Sequence, residues 1–129
     1  MTDTVDAIVI ARVLGDTTRA RIVALLQRRD LCVCELTETL GQSQANISGH
    51  LKLLVSSGFV TSNRRSYWTH YALASSLPTD ISHFLTAIIR QATAQYPGDV
   101  LTLEHLPHDV CALKQQERRN AREDKQKPK

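Results

Sequence analysis

Cys32-Val33-Cys34 places two thiols one residue apart. Thiolate sulfur selects soft metals and metalloids over hard cations, and two such ligands can close on one centre if the backbone between them is extended. In a regular helix residues i and i+2 point about 200° apart, so the pair belongs at a helix entrance or distorts one. A thiol at a helix N-terminus has its pKa lowered, which supplies thiolate at neutral pH. Free cysteines are also common as small buried residues, and the pair alone leaves both readings open. Cys111 is the third and last thiol, equally readable as a further ligand or as incidental. A Cys34/His50 nucleophile–base pair can be drawn, but no glycine-rich phosphate loop or paired carboxylate site accompanies it, and no enzyme is expected.

The elements that must position these thiols are mostly helical. Val5, Ile8, Val9, Arg12 and Val13 predict a first helix over about 4–14, ended by Gly15. Asp16 caps a second, with Ile22, Val23, Leu25 and Leu26 inward and Arg19 and Arg21 toward solvent. Leu31–Cys34 reads as a short extended entry to a third helix near Glu35–Leu40, stopped by Gly41. Ser43 then caps a fourth helix whose stripe Ile47, Leu51, Leu54 and Val55 is buried, with Ala45, Asn46, Gly49, Lys52 and Ser56 opposite. Phe59–Asn63 and Tyr67–Leu73 are β-rich runs around Arg64-Arg65-Ser66, a hairpin with a basic tip. A last helix spans about 79–95, with Ile81, Phe84, Leu85, Ile88 and Ala92 on one stripe, and Pro97-Gly98 ends it.

The 129 residues fit one domain, and 42% apolar content supports a core. No run approaches the roughly 18 apolar residues of a membrane span. With no basic-then-apolar leader and an odd thiol count, a soluble protein of the reducing cytoplasm is expected, without membrane partners. The net charge of +3 is unevenly spread. Residues 112–129 hold seven Lys/Arg and three acids, while the rest carries nine bases and ten acids. This division predicts a domain over 1–97, an extension over 98–111 and a basic, disordered tail over 112–129 that lacks a usable apolar face.

A short helix, a glycine turn and a longer helix opened by Ser43 form a helix-turn-helix; with the basic hairpin the order resembles a winged-helix DNA-binding domain. Leu14–Ile22, Leu31–Leu36, Leu40–Leu54 and Tyr67–Tyr71 together resemble the ArsR/SmtB family of metal-responsive bacterial repressors over about residues 5–95, in the family's order and spacing. The resemblance implies a mostly α fold with a small β-hairpin, a homodimer joined by first and last helices, repression by occupancy of an inverted-repeat operator, and release by an inducer. In the arsenic-responsive branch, Leu31-Cys32-Val33-Cys34-Glu35-Leu36 matches the site for trivalent arsenic or antimony, usually with three sulfurs. Thr37 stands where some members carry a third cysteine, leaving Cys111 to complete the set. Two sulfurs alone would suit a methylated trivalent arsenical, and a link from Cys111 to the pair would make a thiol-redox sensor. No organic cofactor is implied.

Other metal sites are weaker. Asp80 and His83 form a single carboxylate/His pair on the last helix, and Glu104-His105 and His108-Asp109 flank Pro107 in a surface segment. On the resemblance, Ser43, Gln44, Asn46, Ser48 and His50 face the major groove, Lys52 meets phosphate, and Arg64 and Arg65 serve the wing. Gly49 offers no side chain for readout, so shape and backbone contacts carry more of the recognition. Ser66 replaces the wing's usual turn glycine.

Overall fold

The computed structural model describes residues 6–65, 67–107 and 109–126. Asp6 caps α1 (Ala7–Leu14) through its carboxylate, which accepts from the Ile8 N–H at 2.9 Å. Asp16 caps α2 (Thr17–Arg28) in the same way, accepting from the Arg19 N–H at 3.0 Å. The chain then extends for two residues as β1 (Leu31–Cys32) and turns at once into α3 (Val33–Leu40). Gly41 ends α3 in the left-handed region at φ 66°, a conformation that costs a side-chain-bearing residue strain. Ser43 opens α4 (Gln44–Ser56) by accepting from the Asn46 N–H at 3.1 Å.

The hairpin of β2 (Val60–Arg65) and β3 (Trp68–Leu73) has the expected place, but Arg64 and Arg65, expected at its tip, belong to β2 and pair with Thr69 and Trp68, and β1 joins as a third antiparallel strand in the order β1-β3-β2. Leu31 pairs with Tyr71 and Cys32 with His70. The wing is therefore tied to the entrance of α3. Ser66, Val5 and His108 lie outside the described residues, as do Lys127 and Lys129.

Leu31, Leu36, Ile47, Leu51, Leu54 and Phe59 are fully buried at the meeting of α3, α4 and the sheet. Each such side chain stabilises the fold by about 1.5–3 kcal/mol. Three expected faces shift. On α1 the buried residues are Ile10, Val13 and Leu14, leaving Ile8 73% exposed. On α5 (Thr79–Gln95) Ile89 takes the core position beside Ile81, Leu85 and Ala92, while Phe84 and Ile88 are half-buried. Each of these helices thus has a second apolar flank. Arg19 and Arg21 turn inward: Arg19 Nε donates to the Val13 carbonyl at 2.6 Å, and Arg21 holds Asp99 through two bonds of 2.8 Å while stacking 4.2 Å from the Tyr96 ring centroid.

The helix over 79–95 ends before Pro97 as expected, and Pro97 also begins another. With φ preset for a first turn, it opens α6 (Pro97–Glu104), whose Leu103 is buried. The segment expected to be disordered is α7 (Val110–Gln126). Its anchor is Val110, 5% exposed, in a first turn packed against α3, and Gln116 donates to Asn120 at 3.1 Å one turn on. One buried residue at a helix end leaves no periodic stripe for the sequence to reveal.

Gly49 lies mid-helix with nothing within 4 Å of a built Cβ. Gly49→Ala should raise stability by about 0.5–1 kcal/mol and Gly41→Ala should lower it by a similar amount, read from urea unfolding at fixed protein concentration. A destabilised Gly49→Ala would show that backbone freedom at this position matters to the fold.

Candidate thiol site and DNA-reading face

The strand-to-helix switch dictates how the cysteine pair is held. Cys32 is the extended N-cap of α3, at φ −94° and ψ 171°, and Cys34 is the second helical residue. Glu35 reaches back to accept the Cys32 N–H at 3.0 Å and also pairs with Arg29 at 3.0 Å. Cys32 and Cys34 are buried, and Cys111, in the first turn of α7, lines one cavity with Cys32 and lies close enough to both thiols for each to act on its pKa. The three thiols therefore converge from β1, α3 and α7. Among the described residues no three His, Cys, Asp or Glu side chains form a preformed metal-ion cage; the thiols meet pairwise through Cys111.

A cavity of about 370 Å³ opens beside them, lined by Cys32, Cys111, Glu35, Asp109, Trp68 and His70 among others. His70, opposite Cys32 on β3, buries an Nδ1 that has no hydrogen-bond partner. Its place was not read from the sequence, because only the β1–β3 register brings it to the thiols. The helix entrance predicts a lowered thiol pKa, and burial reverses that. Desolvation pushes the Cys32 thiol above its ordinary 9.0, although hydrogen bonds from Cys111 and from the Glu35 backbone pull the other way. Desolvation, then the hydrogen bond to Cys32, pushes Cys111 up as well. Burial thus raises both Cys32 and Cys111 above the ordinary thiol value.

On α4 Ser43, Gln44, Asn46, Ser48 and Lys52 are exposed on the outer face. Asn46 Nδ2 donates to Gln42 Oε1, and Gln42 Nε2 donates to Thr18 Oγ1 at 3.1 Å, so the Asn46 side chain is oriented on the outer face of α4. His50 is half-buried, with its Nδ1 3.1 Å from Arg19. A guanidinium can only donate, so His50 Nδ1 is the acceptor in this contact. Arg64 is exposed on β2. Arg65 instead pairs with Asp30 at 2.7 Å, on the rim of the thiol cavity. Gln44 accepts a hydrogen bond from Arg118 of α7, a contact that no sequence pattern announces.

The family profile of bacterial regulatory proteins, arsR family, matches residues 16–62. The chain is 33% identical over 99 residues to the arsenic resistance transcriptional regulator ArsR1 of Pseudomonas putida, spanning 76% of this chain and 77% of that one. This chain belongs to the arsR family. It is also 44% identical over 68 residues to the arsenical resistance operon repressor of Escherichia coli K12, spanning 52% of this chain and 58% of that relative. Among solved structures, reduced HlyU from Vibrio cholerae N16961 superposes with a TM-score of 0.58 at 27% identity, over 66% of this chain and 86% of HlyU. The arsR-family profile ends within β2, so α5, α6, α7 and Cys111 lie beyond it.

A thiol whose folded pKa is raised adds stability that is complete below its unfolded value and is lost as pH climbs past it. Wild-type protein should therefore lose stability as pH rises above about 9, and Cys111→Ser should lose less, measured by denaturant midpoints at pH 8 and 10. Equal losses would show that the thiol cluster carries no such term.

Proposed function

We propose that this chain is a homodimeric repressor of an arsenic-resistance operon, released from an inverted-repeat operator when trivalent arsenic or antimony takes the sulfurs of Cys32, Cys34 and Cys111. The observation that carries this reading is that Cys111 of α7 lines one cavity with Cys32, the cap of the helix that holds Cys34 in its first turn. Three thiols condensing with arsenous acid form three As–S bonds and three waters, with no net proton released and no charge left in the cavity. A divalent cation must expel three protons and leaves a net negative cluster beside Glu35 and Asp109. Raised thiol pKa values thus favour the metalloid.

Within this reading Gln44, Asn46, Ser48 and His50 address base edges, Ser43, Lys52 and Arg64 the backbone. Drawing Cys32 and Cys34 onto one centre is opposed by their places, one capping α3 and the other inside its first turn. Loading therefore disturbs that turn, and α3 packs directly on α4. The pairing of Cys32 with His70 carries the same disturbance to the wing. The second flanks of α1 and α5, with Ile8, Val9, Phe84 and Ile88, supply the apolar surface that a second copy covers. Among the described residues no helix is long and apolar enough to cross a membrane, and the cytoplasm is the proposed compartment.

A redox sensor is the second reading, favoured by the contact of Cys111 with both partners but opposed by the scarcity of thiolate that peroxide would attack. Arsenite should lower operator affinity of the wild type by roughly 5- to 150-fold, and Cys32→Ser/Cys34→Ser should bind DNA normally and ignore arsenite. Unchanged arsenite release in that double variant would sink the reading. Arsenite affinity should be nearly flat between about pH 6 and 8 while cadmium affinity climbs steeply, the signature of thiols that stay protonated.

A further inference from the structure

Helix α7 is strongly two-sided in charge. Cys111, Gln115, Arg118, Arg122 and Lys125 follow i, i+4, i+7, i+11 and i+14, and so form one stripe along the helix. Glu117 and Asp124 fall on another side, seven residues apart. Gln115, Arg118, Arg119 and Arg122 together line a shallow concavity of about 360 Å³. The stripe also has a fixed address, because Arg118 donates to Gln44, the first residue of the recognition helix. The helix N-terminus is the part that enters the major groove in a helix-turn-helix, so these arginines stand at the edge of the DNA-reading face. Cys111 heads the same stripe two turns before Arg118, about 10 Å along the axis.

We propose that α7 is a second DNA-contacting element, whose Arg118, Arg119 and Arg122 bind backbone phosphates flanking the major-groove contact, and that the thiol cluster sets its position through Cys111. Arg118 exchanges the neutral Gln44 amide oxygen for a phosphate oxygen, a stronger charge-assisted partner. That exchange frees Gln44 for a base edge at the moment of docking. Capture of Cys111 by a bound metalloid moves the first turn of α7 and with it the whole stripe. The coupling rests on the inducer reading of the thiols, whereas the phosphate contacts do not.

The test uses the full chain and two duplexes, an inverted repeat selected from a random library by the wild type and an unselected one of equal length. The variants are Arg118→Gln/Arg122→Gln and the charge-keeping Arg118→Lys/Arg122→Lys. Each phosphate contact contributes about 0.9 to the slope of log affinity against log salt, so loss of four arginines per dimer should reduce that slope by about 3 to 4 on both duplexes. The lysine variant should keep it. An unchanged slope in the glutamine variant, or an equal fall in the lysine variant, overturns the phosphate contacts. Saturating arsenite should reduce the wild-type slope and leave that of the glutamine variant unaltered; an equal arsenite-induced change in both overturns the link through Cys111. Failure of the inducer reading is separately visible, as arsenite release that survives Cys32→Ser/Cys34→Ser.

Discussion

Two residues of antiparallel pairing hold the functional parts of this protein together. Leu31 and Cys32 bond to Tyr71 and His70, and the chain turns helical at the very next residue. The pairing forces Cys32 to be extended, which a helical pair of cysteines could not be, and buries its sulfur against the core formed by Leu31 and Leu36. It also makes the wing and the entrance of α3 a single mechanical unit. Without β1 the thiols would sit on a mobile loop, free to bind metal but with nothing rigid to displace. The raised pKa of Cys32 follows from the same burial, since desolvation outweighs the hydrogen bonds from Cys111 and the Glu35 backbone.

A second constraint is the use of arginine inside the body. Arg19 spans the end of α1 and His50 of the recognition helix, Arg21 clamps Asp99 of α6, Arg29 holds Glu35, and Arg65 holds Asp30. Exposed pairs of this kind contribute about 0–1 kcal/mol, so Arg29 and Arg65 add little stability; their value is orientation at the rim of the thiol cavity. Arg21 is different, because its two bonds to Asp99 are mostly shielded from solvent and raise its own pKa. With these side chains committed internally, the near-neutral body has few cations for a polyanion. The basic excess of α7 is then no longer a peripheral surplus but charge delivered beside Gln44.

Helix caps, the αL glycine, the buried stripe of α4 and the hairpin were all legible, because each is written in residues close in sequence. Asp16, Ser43 and Gly41 carry local signals whose geometry needs no distant partner. What stayed hidden depends on contacts between distant segments. The third strand is two residues long, too short for an alternating pattern, and His70 becomes part of the thiol site only through its register. Arg19 and Arg21 look solvent-facing on a helical projection until Val13, His50 and Asp99 arrive from other elements. On α5 the sequence shows an apolar face wider than one stripe, and periodicity alone could not tell Ile88 from Ile89 as the core residue. The cysteine pair itself was legible as chemistry, whereas the sign of its pKa shift was not, because burial is a property of the whole fold.

In the proposed reading, the turn between α3 and α4 is the route by which a small disturbance at the thiols would reach α4. Helix α3 has eight residues, about 12 Å of axis at 1.5 Å per residue, so its first and last turns are too close to move independently. Gly41 at φ 66° turns the chain directly from α3 toward α4, and Gln42 bonds both back to Thr18 and forward to Asn46. A tilt of α3 must therefore either carry Asn46 with it or break the Gln42 bridge. Both outcomes alter how Asn46 is presented on the outer face of α4. A longer α3, or a flexible turn, would absorb the same displacement, so the shortness of this helix is what lets a local change at Cys32 and Cys34 act on α4 as a whole.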